Sequence, residues 1–107
     1  MTIEEITNKI KEPEKLVDPE TVNLLKFYVS SWITDKEEEL NEQNYQVAIK
    51  RRELLIEHKS VAKADLYLEL EPRYLEREKT KLLIKDLRSI RSNLKDRYEV
   101  LINKKRY

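Results

Sequence analysis

Not one of the 107 residues is a glycine. Tight hairpin turns, phosphate-cradling loops and dinucleotide fingerprints all rely on backbone that a Cβ obstructs. Without them, helices joined by short connectors are the natural outcome. Cysteine is absent as well, and there is a single histidine. Composition therefore excludes disulfides, thiolate zinc sites, cysteine nucleophiles and imidazole-pair metal sites. Three prolines remain as punctuation.

No apolar run approaches the roughly 20 residues that span a bilayer, so no membrane association is expected. The opening Met1-Thr2-Ile3-Glu4-Glu5 does not resemble a signal peptide. A reducing cytoplasm is the expected setting, that of the host cell if the source is viral. Charged residues make up 40% of the chain and apolar residues 39%, a balance at which disorder must be weighed. The regular recurrence of Leu, Ile and Val decides against it. One domain over residues 1–107 is expected. A chain this short buries only about two-thirds of its surface at best, and long helices bury less, so a homo-oligomer is expected.

The fold class that follows is all-α: a long antiparallel, coiled-coil-like helical hairpin with a short N-terminal helix. The short helix spans residues 1–12. Thr2 and Glu5 form a capping box, Ile3, Ile6 and Ile10 share one face, and Pro13 ends it. Asp18-Pro19-Glu20 then restarts a helix, with Asp18 as N-cap and Pro19 in the first turn. Val22, Leu25, Val29 and Trp32 form a stripe, widened by Leu24, Phe27, Tyr28 and Ile33. Val22, Leu25, Tyr28, Val29 and Trp32 are the expected oligomer interface. No Pro or Gly intervenes before Pro72, so residues 19–70 read as one helix, with Thr34–Glu37 as the one place where a cap could break it. Such a helix would run about 78 Å, long enough to imply coiled-coil packing. Residues 72–103 form the last helix, with Leu75, Leu83, Leu87, Ile90, Leu94, Tyr98 and Leu101 as a heptad-like seam. Folding the two arms about Pro72 would set Leu68 near Leu75, Val61 near Leu83 and Leu54 near Ile90.

The near-neutral total conceals a segregation of charge. Residues 1–72 hold 10 basic and 16 acidic side chains; residues 73–107 hold 12 and 5. Lys81, Lys85, Arg88 and Lys95 fall on one helical stripe, with Arg91 beside it and Ser89, Ser92 and Asn93 between. A stripe of this kind suits a phosphate backbone, because each phosphate neutralised releases condensed counterion and arginine forks onto phosphate oxygens. Two alternatives stand beside it: pairing with the acidic Glu37–Glu42 run of the same or a neighbouring copy, or a plain solvated face. Lys50-Arg51-Arg52, Lys59 and Lys63 make a second basic group, which the expected register brings to the same half of the hairpin as Arg88, Arg91 and Lys95. The spacing of Phe27, Tyr28 and Trp32 suggests core or subunit contact ahead of base stacking. Tyr67 and Tyr74 flank the Pro72 turn, and His58 belongs to the helix pair. No nucleophile–base pair, carboxylate dyad or metal constellation is recognisable, so neither enzyme activity nor a cofactor is expected.

The run Ser60-Val61-Ala62-Lys63-Ala64-Asp65-Leu66-Tyr67-Leu68-Glu69, followed by Ser89-Ile90-Arg91-Ser92-Asn93-Leu94, resembles a family of small all-helical bacteriophage proteins of mostly unassigned activity. More distantly, the order of features is similar to the UvsY-like recombination mediators of T4-like phages: a short helix, an aromatic segment (Phe27, Tyr28, Trp32), then a long helix with a basic, alanine-containing run near a tyrosine. That resemblance implies a ring-like oligomer that binds single-stranded DNA and loads a recombinase onto strands covered by single-strand-binding protein. It implies Lys63, with Lys59 nearby, as DNA contacts. Asp65 stands where a further basic residue is expected, and the basic C-terminal helix differs from the assembly region of those mediators.

The expected function is thus that of a phage accessory protein binding single-stranded DNA without sequence preference, as a recombination or replication mediator or scaffold. Lys59, Lys63, Lys81, Lys85, Arg88, Arg91 and Lys95 are the expected contacts. The alternative is a helical protein-interaction module that touches no nucleic acid, inhibiting a host factor or serving as an adaptor.

Overall fold

The computed structural model describes residues 2–10 and 17–105. They form α1 (Ile3–Ile10), α2 (Pro19–His58), α3 (Val61–Glu69) and α4 (Pro72–Lys105), with no strand among the described residues. The fold is all-α. Its helix starts follow local chemistry. The Thr2 hydroxyl accepts the Glu5 N–H at 3.1 Å, and the Glu5 carboxylate accepts the Thr2 N–H at 3.4 Å. The Asp18 carboxylate accepts from the Glu20 N–H at 3.1 Å and the Thr21 hydroxyl at 3.0 Å, with Pro19 at the first helical position. Pro72 opens α4 in the same way, and the Leu75 N–H reaches the Glu71 carbonyl at 3.2 Å. Pro13 lies outside the described residues.

The expected single helix over 19–70 is corrected in one place. It does not break near Thr34; it breaks at Lys59, where φ is 53°. This left-handed residue is the C′ position of α2, and its N–H donates to the Leu55 carbonyl at 2.9 Å. Ser60 is extended and caps α3, its hydroxyl accepting the Lys63 N–H at 3.4 Å. The reversal lets Ala64 and Leu68 of α3 fold back over Val47 and Leu54 of α2.

The chain divides into two units, one of residues 1–34 with 85–107 and one of residues 35–84. In the first, the start of α2 pairs with the end of α4. Val22, Leu25, Val29 and Ile33 are buried on α2, and Leu87, Leu94 and Leu101 on α4. The pairing is antiparallel: Lys26 lies over the Tyr98 ring, 5.6 Å from its centroid, and Ser30 comes opposite Arg91 and Ser92. In the second unit the end of α2, α3 and the start of α4 surround Val47, Leu54, Ala64 and Leu68, with Leu55 and Tyr74 packed alongside. Lys50 of α2 reaches Glu71 at 3.7 Å, and Arg51 reaches Asp65 of α3 at 3.0 Å.

The expected hairpin register is therefore also corrected. Leu54 packs on α3 and not on Ile90, while Val61 and Leu75 are solvent-exposed. The buried seam of α4 runs through Thr80, Ile84, Leu87, Leu94 and Leu101, bypassing Leu75. The physical reason is α3. By covering Leu54, it displaces α4 towards an earlier stretch of α2.

Candidate nucleic-acid interface

Of the seven cations expected to contact nucleic acid, Lys85, Arg88, Arg91 and Lys95 belong to the first unit and Lys59, Lys63 and Lys81 to the second. The first set rises from one face of α4. Positions 88, 91, 92 and 95 are spaced three, four and seven apart, so their side chains overlie one another along the helix. Leu87 and Leu94 bury the adjoining seam and hold that face against α2. From α2, Lys26 and Ser30, one turn apart on the flank of the Val22–Val29 seam, complete the surroundings. Lys26, Ser30, Arg88, Arg91, Ser92 and Lys95 line an open concavity of about 370 Å³. Four cations and two hydroxyls meet there, and no carboxylate is among the lining side chains.

The electrostatics favour an anion at this place. Among the described residues no carboxylate pairs with Lys85, Arg91 or Lys95, whereas Arg88 is already engaged by a neighbour. Arg91 is half-buried, with its base at the helix seam. Lys26 is steered by the Tyr98 ring, a cation–π contact that leaves the ammonium its charge. By sequence count the first unit holds 12 basic and 9 acidic residues, the second 10 and 12.

The second unit disposes of its cations differently. Lys81 pairs with Glu78 at 3.4 Å, Arg77 with Glu78 at 3.1 Å, and Lys79 with Glu76 at 3.5 Å. Partial burial pushes the Glu78 carboxyl up, but hydrogen bonds from Lys81 and Arg77, with their charges, outweigh it and hold the group below its ordinary value of 4.5. Lys63 and Lys59 are exposed on the α3 side of this unit. A concavity of about 330 Å³ in this unit is lined by Glu42, Gln43, Gln46, Pro72, Arg73 and Glu76, and its two carboxylates make it unsuited to phosphate.

Two lining residues, Lys26 and Ser30, have no place in the sequence reading. Their only signal is a four-residue spacing beside an apolar stripe, and the expected register does not join them to α4. The expected oligomer-interface residues also separate. Val22, Leu25 and Val29 are fully covered within the chain, Trp32 is half-buried, and Tyr28 is exposed. Phe27, expected in a core or a subunit contact, is 68% exposed within the chain. His58 stacks on Tyr67 with 4.4 Å between centroids, and Arg77 lies 4.8 Å from the Tyr74 ring centroid. Among the described residues no group of three His, Asp or Glu could hold a metal ion, and no helix is long and apolar enough to cross a membrane.

No family model matches this chain, and no curated protein or solved structure matches it.

Proposed function

We propose that this chain binds single-stranded DNA by its phosphates, without sequence preference, on the concavity of the first unit. The observation that carries the reading is the convergence of Lys26, Arg88, Arg91 and Lys95 with two serine hydroxyls around a carboxylate-free hollow. Lysine supplies point charges and arginine a planar fork that fits phosphate oxygens. Lys85, one turn before Arg88 and two before Ser92 on the same helix, extends the positive track. The role that fits is that of a phage accessory protein, a mediator or scaffold for a recombinase or single-strand-binding protein. Assembly of several copies would turn weak single-site contacts into avidity, and of the expected interface residues the exposed Tyr28 and the half-buried Trp32, with exposed Leu24 beside them, are open to such a contact.

Fluorescence anisotropy with a labelled oligonucleotide at two salt concentrations tests this. Four to five phosphate contacts give a log–log salt slope of about −3 for a single strand. Reversing charge at Arg91 and Lys95 should flatten the slope, whereas reversing Lys79, already paired with Glu76 in the second unit, should not. Absence of binding at low salt would end the proposal.

A second reading is favoured by α3. Val61 and Leu66 are exposed on it, and Leu70 at its C-cap is 71% exposed. A helical module that docks on a partner protein through this apolar surface would form a complex that survives charge reversal at Lys85 and Arg88.

A further inference from the structure

Phe27 is exposed one helical turn from Ser30, which lines the basic concavity, though Phe27 is not itself among the lining side chains, and neither the fold nor the phosphates account for it. It lies three residues before Ser30 and one after Lys26, on the same flank of α2 but turned further towards solvent. Its neighbours on the core side, Val22, Leu25 and Val29, are fully covered, so the fold has no room for its ring there. The ring meets Tyr28 edge-to-face, with 6.4 Å between centroids and 69° between planes. An edge-to-face pair leaves each ring at least one open face.

We infer that Phe27 is a base-stacking residue, and that it takes an unpaired nucleobase whose flanking phosphates are held in the concavity a helical turn away. The inference rests on the proposed binding of nucleic acid and adds to it the reason for preferring single strands. Phosphates are common to single strands and duplexes, so Lys26, Arg91 and Lys95 alone cannot distinguish them. A duplex base has both faces occupied by its neighbours in the stack. In a single strand, a base next to a phosphate held by Lys26 or Arg91 can turn onto an aromatic face at its side, and every base has such a face to offer. Phe27, one helical turn from Ser30 on the solvent side of α2, is within reach of such a base. A lone exposed aromatic needs no explanation; one a helical turn from a hollow lined by four cations has an occupant of matching chemistry.

The test uses the full chain with Phe27→Ala, Phe27→Leu and Phe27→Trp, the last in a Trp32→Phe background so that the introduced indole is the only one. Three labelled probes are titrated: an oligothymidylate, a duplex of the same length and an abasic strand. Because the side chain is exposed, the variants are expected to keep the far-ultraviolet circular dichroism of the parent; Phe27→Leu also preserves apolar bulk, which isolates the aromatic face. Expected are a loss of oligothymidylate affinity of about 5- to 100-fold for both Ala and Leu, duplex and abasic affinities within about twofold of the parent, and quenching of the introduced indole's emission by the bases. Unchanged oligothymidylate affinity in Phe27→Ala and Phe27→Leu would overturn the inference while leaving phosphate binding standing. A change of oligomeric state by light scattering with strand affinity retained would overturn it too, and assign the ring to a contact between copies. If the parent chain binds none of the three probes at low salt, the proposed function itself fails and the inference with it.

Discussion

Replacing Lys59 by glycine should stabilise the protein. Lys59 is the described residue that adopts a positive φ, 53°, at the reversal between α2 and α3. A side chain with a Cβ costs roughly 1–2 kcal/mol in the left-handed helical region. Glycine escapes this, but its looser unfolded chain costs about 0.4–1 kcal/mol. The difference leaves a net gain of about 0.5–1 kcal/mol. For a domain of this size that raises Tm by about 2–5 °C. Far-ultraviolet circular dichroism melts of the parent, Lys59→Gly and Lys59→Ala measure it. Alanine keeps the Cβ and removes the charge, so it should show no comparable gain.

The sign of the glycine effect is what matters. In an uninterrupted helix through residues 58–61, glycine would cost about 1 kcal/mol relative to alanine, and the melting temperature would fall. At a C′ residue whose N–H reaches back to the Leu55 carbonyl, the same substitution helps. A Lys59→Gly variant that melts at or below Lys59→Ala would refute the break and, with it, the packing of α3 on Leu54.

Gln43 and Arg77 each bury an unpartnered polar atom, Oε1 and Nε; Gln43→Leu removes one at an interior position and should raise stability by about 1 kcal/mol in urea titrations, a decrease counting against the placement. The depressed pKa of Glu78 means that its charged form is favoured in the folded state. Its contribution is complete above the ordinary carboxylate value of 4.5 and is lost as pH falls through the lower folded value, so Glu78→Gln should lower the neutral-pH plateau slightly and leave stability at the acid end unchanged, flattening the acid limb of the profile. Arg91→Leu should raise Tm, because it completes the apolar seam beside Leu87 and Leu94, yet flatten the salt dependence of strand binding by about one phosphate contact; a lower Tm with unchanged binding would contradict both halves.

What could be read from the sequence was local. The capping box at Thr2 and Glu5, the Asp18 cap and the proline starts at Pro19 and Pro72 involve partners within three or four residues, and their chemistry is the same in any fold. The break at Lys59 was not legible, because nothing within one turn demands it. Its cause is the covering of Val47 and Leu54 by Ala64 and Leu68, a gain visible only once the chain has turned back. The register that would set Leu54 near Ile90 is overturned by the same covering of Leu54. The α4 side of the concavity was readable as a spacing of cations; Lys26 and Ser30 were not, since they acquire meaning only opposite α4. The exposure of Phe27 within the chain has another reason. Val22, Leu24, Leu25, Phe27, Tyr28, Val29 and Ile33 encircle most of the helix, yet one helix can bury only one face, and periodicity alone does not say which members are left outside.

The apolar seams of α2 and α4 are interrupted by polar and charged residues, and the two units treat those residues differently. Along α2, spacings of three and four lead from Ile33 through Lys36, Leu40, Gln43, Val47 and Lys50 to Leu54; along α4 they lead from Arg77 through Thr80, Ile84, Leu87, Arg91 and Leu94 to Tyr98 and Leu101. Lys36, Gln43, Lys50, Arg77 and Arg91 are half-buried at positions where leucine would pack. In the second unit, the charged members find partners: Lys36 meets Glu39 at 2.8 Å, Lys50 meets Glu53 and Glu71, and Arg77 meets Glu78 and the Tyr74 ring. Of these pairs Lys50–Glu71 links separate elements and can specify a register, while the others neutralise the charge within its own helix. Arg91 has no carboxylate among the described residues and opens instead onto the hollow with Lys26 and Lys95. A charge that specifies register would be expected to have its counter-charge in the fold. One set at a seam position without it is placed to meet an anion from outside, and that asymmetry between the two units is the physical ground on which the nucleic-acid reading stands.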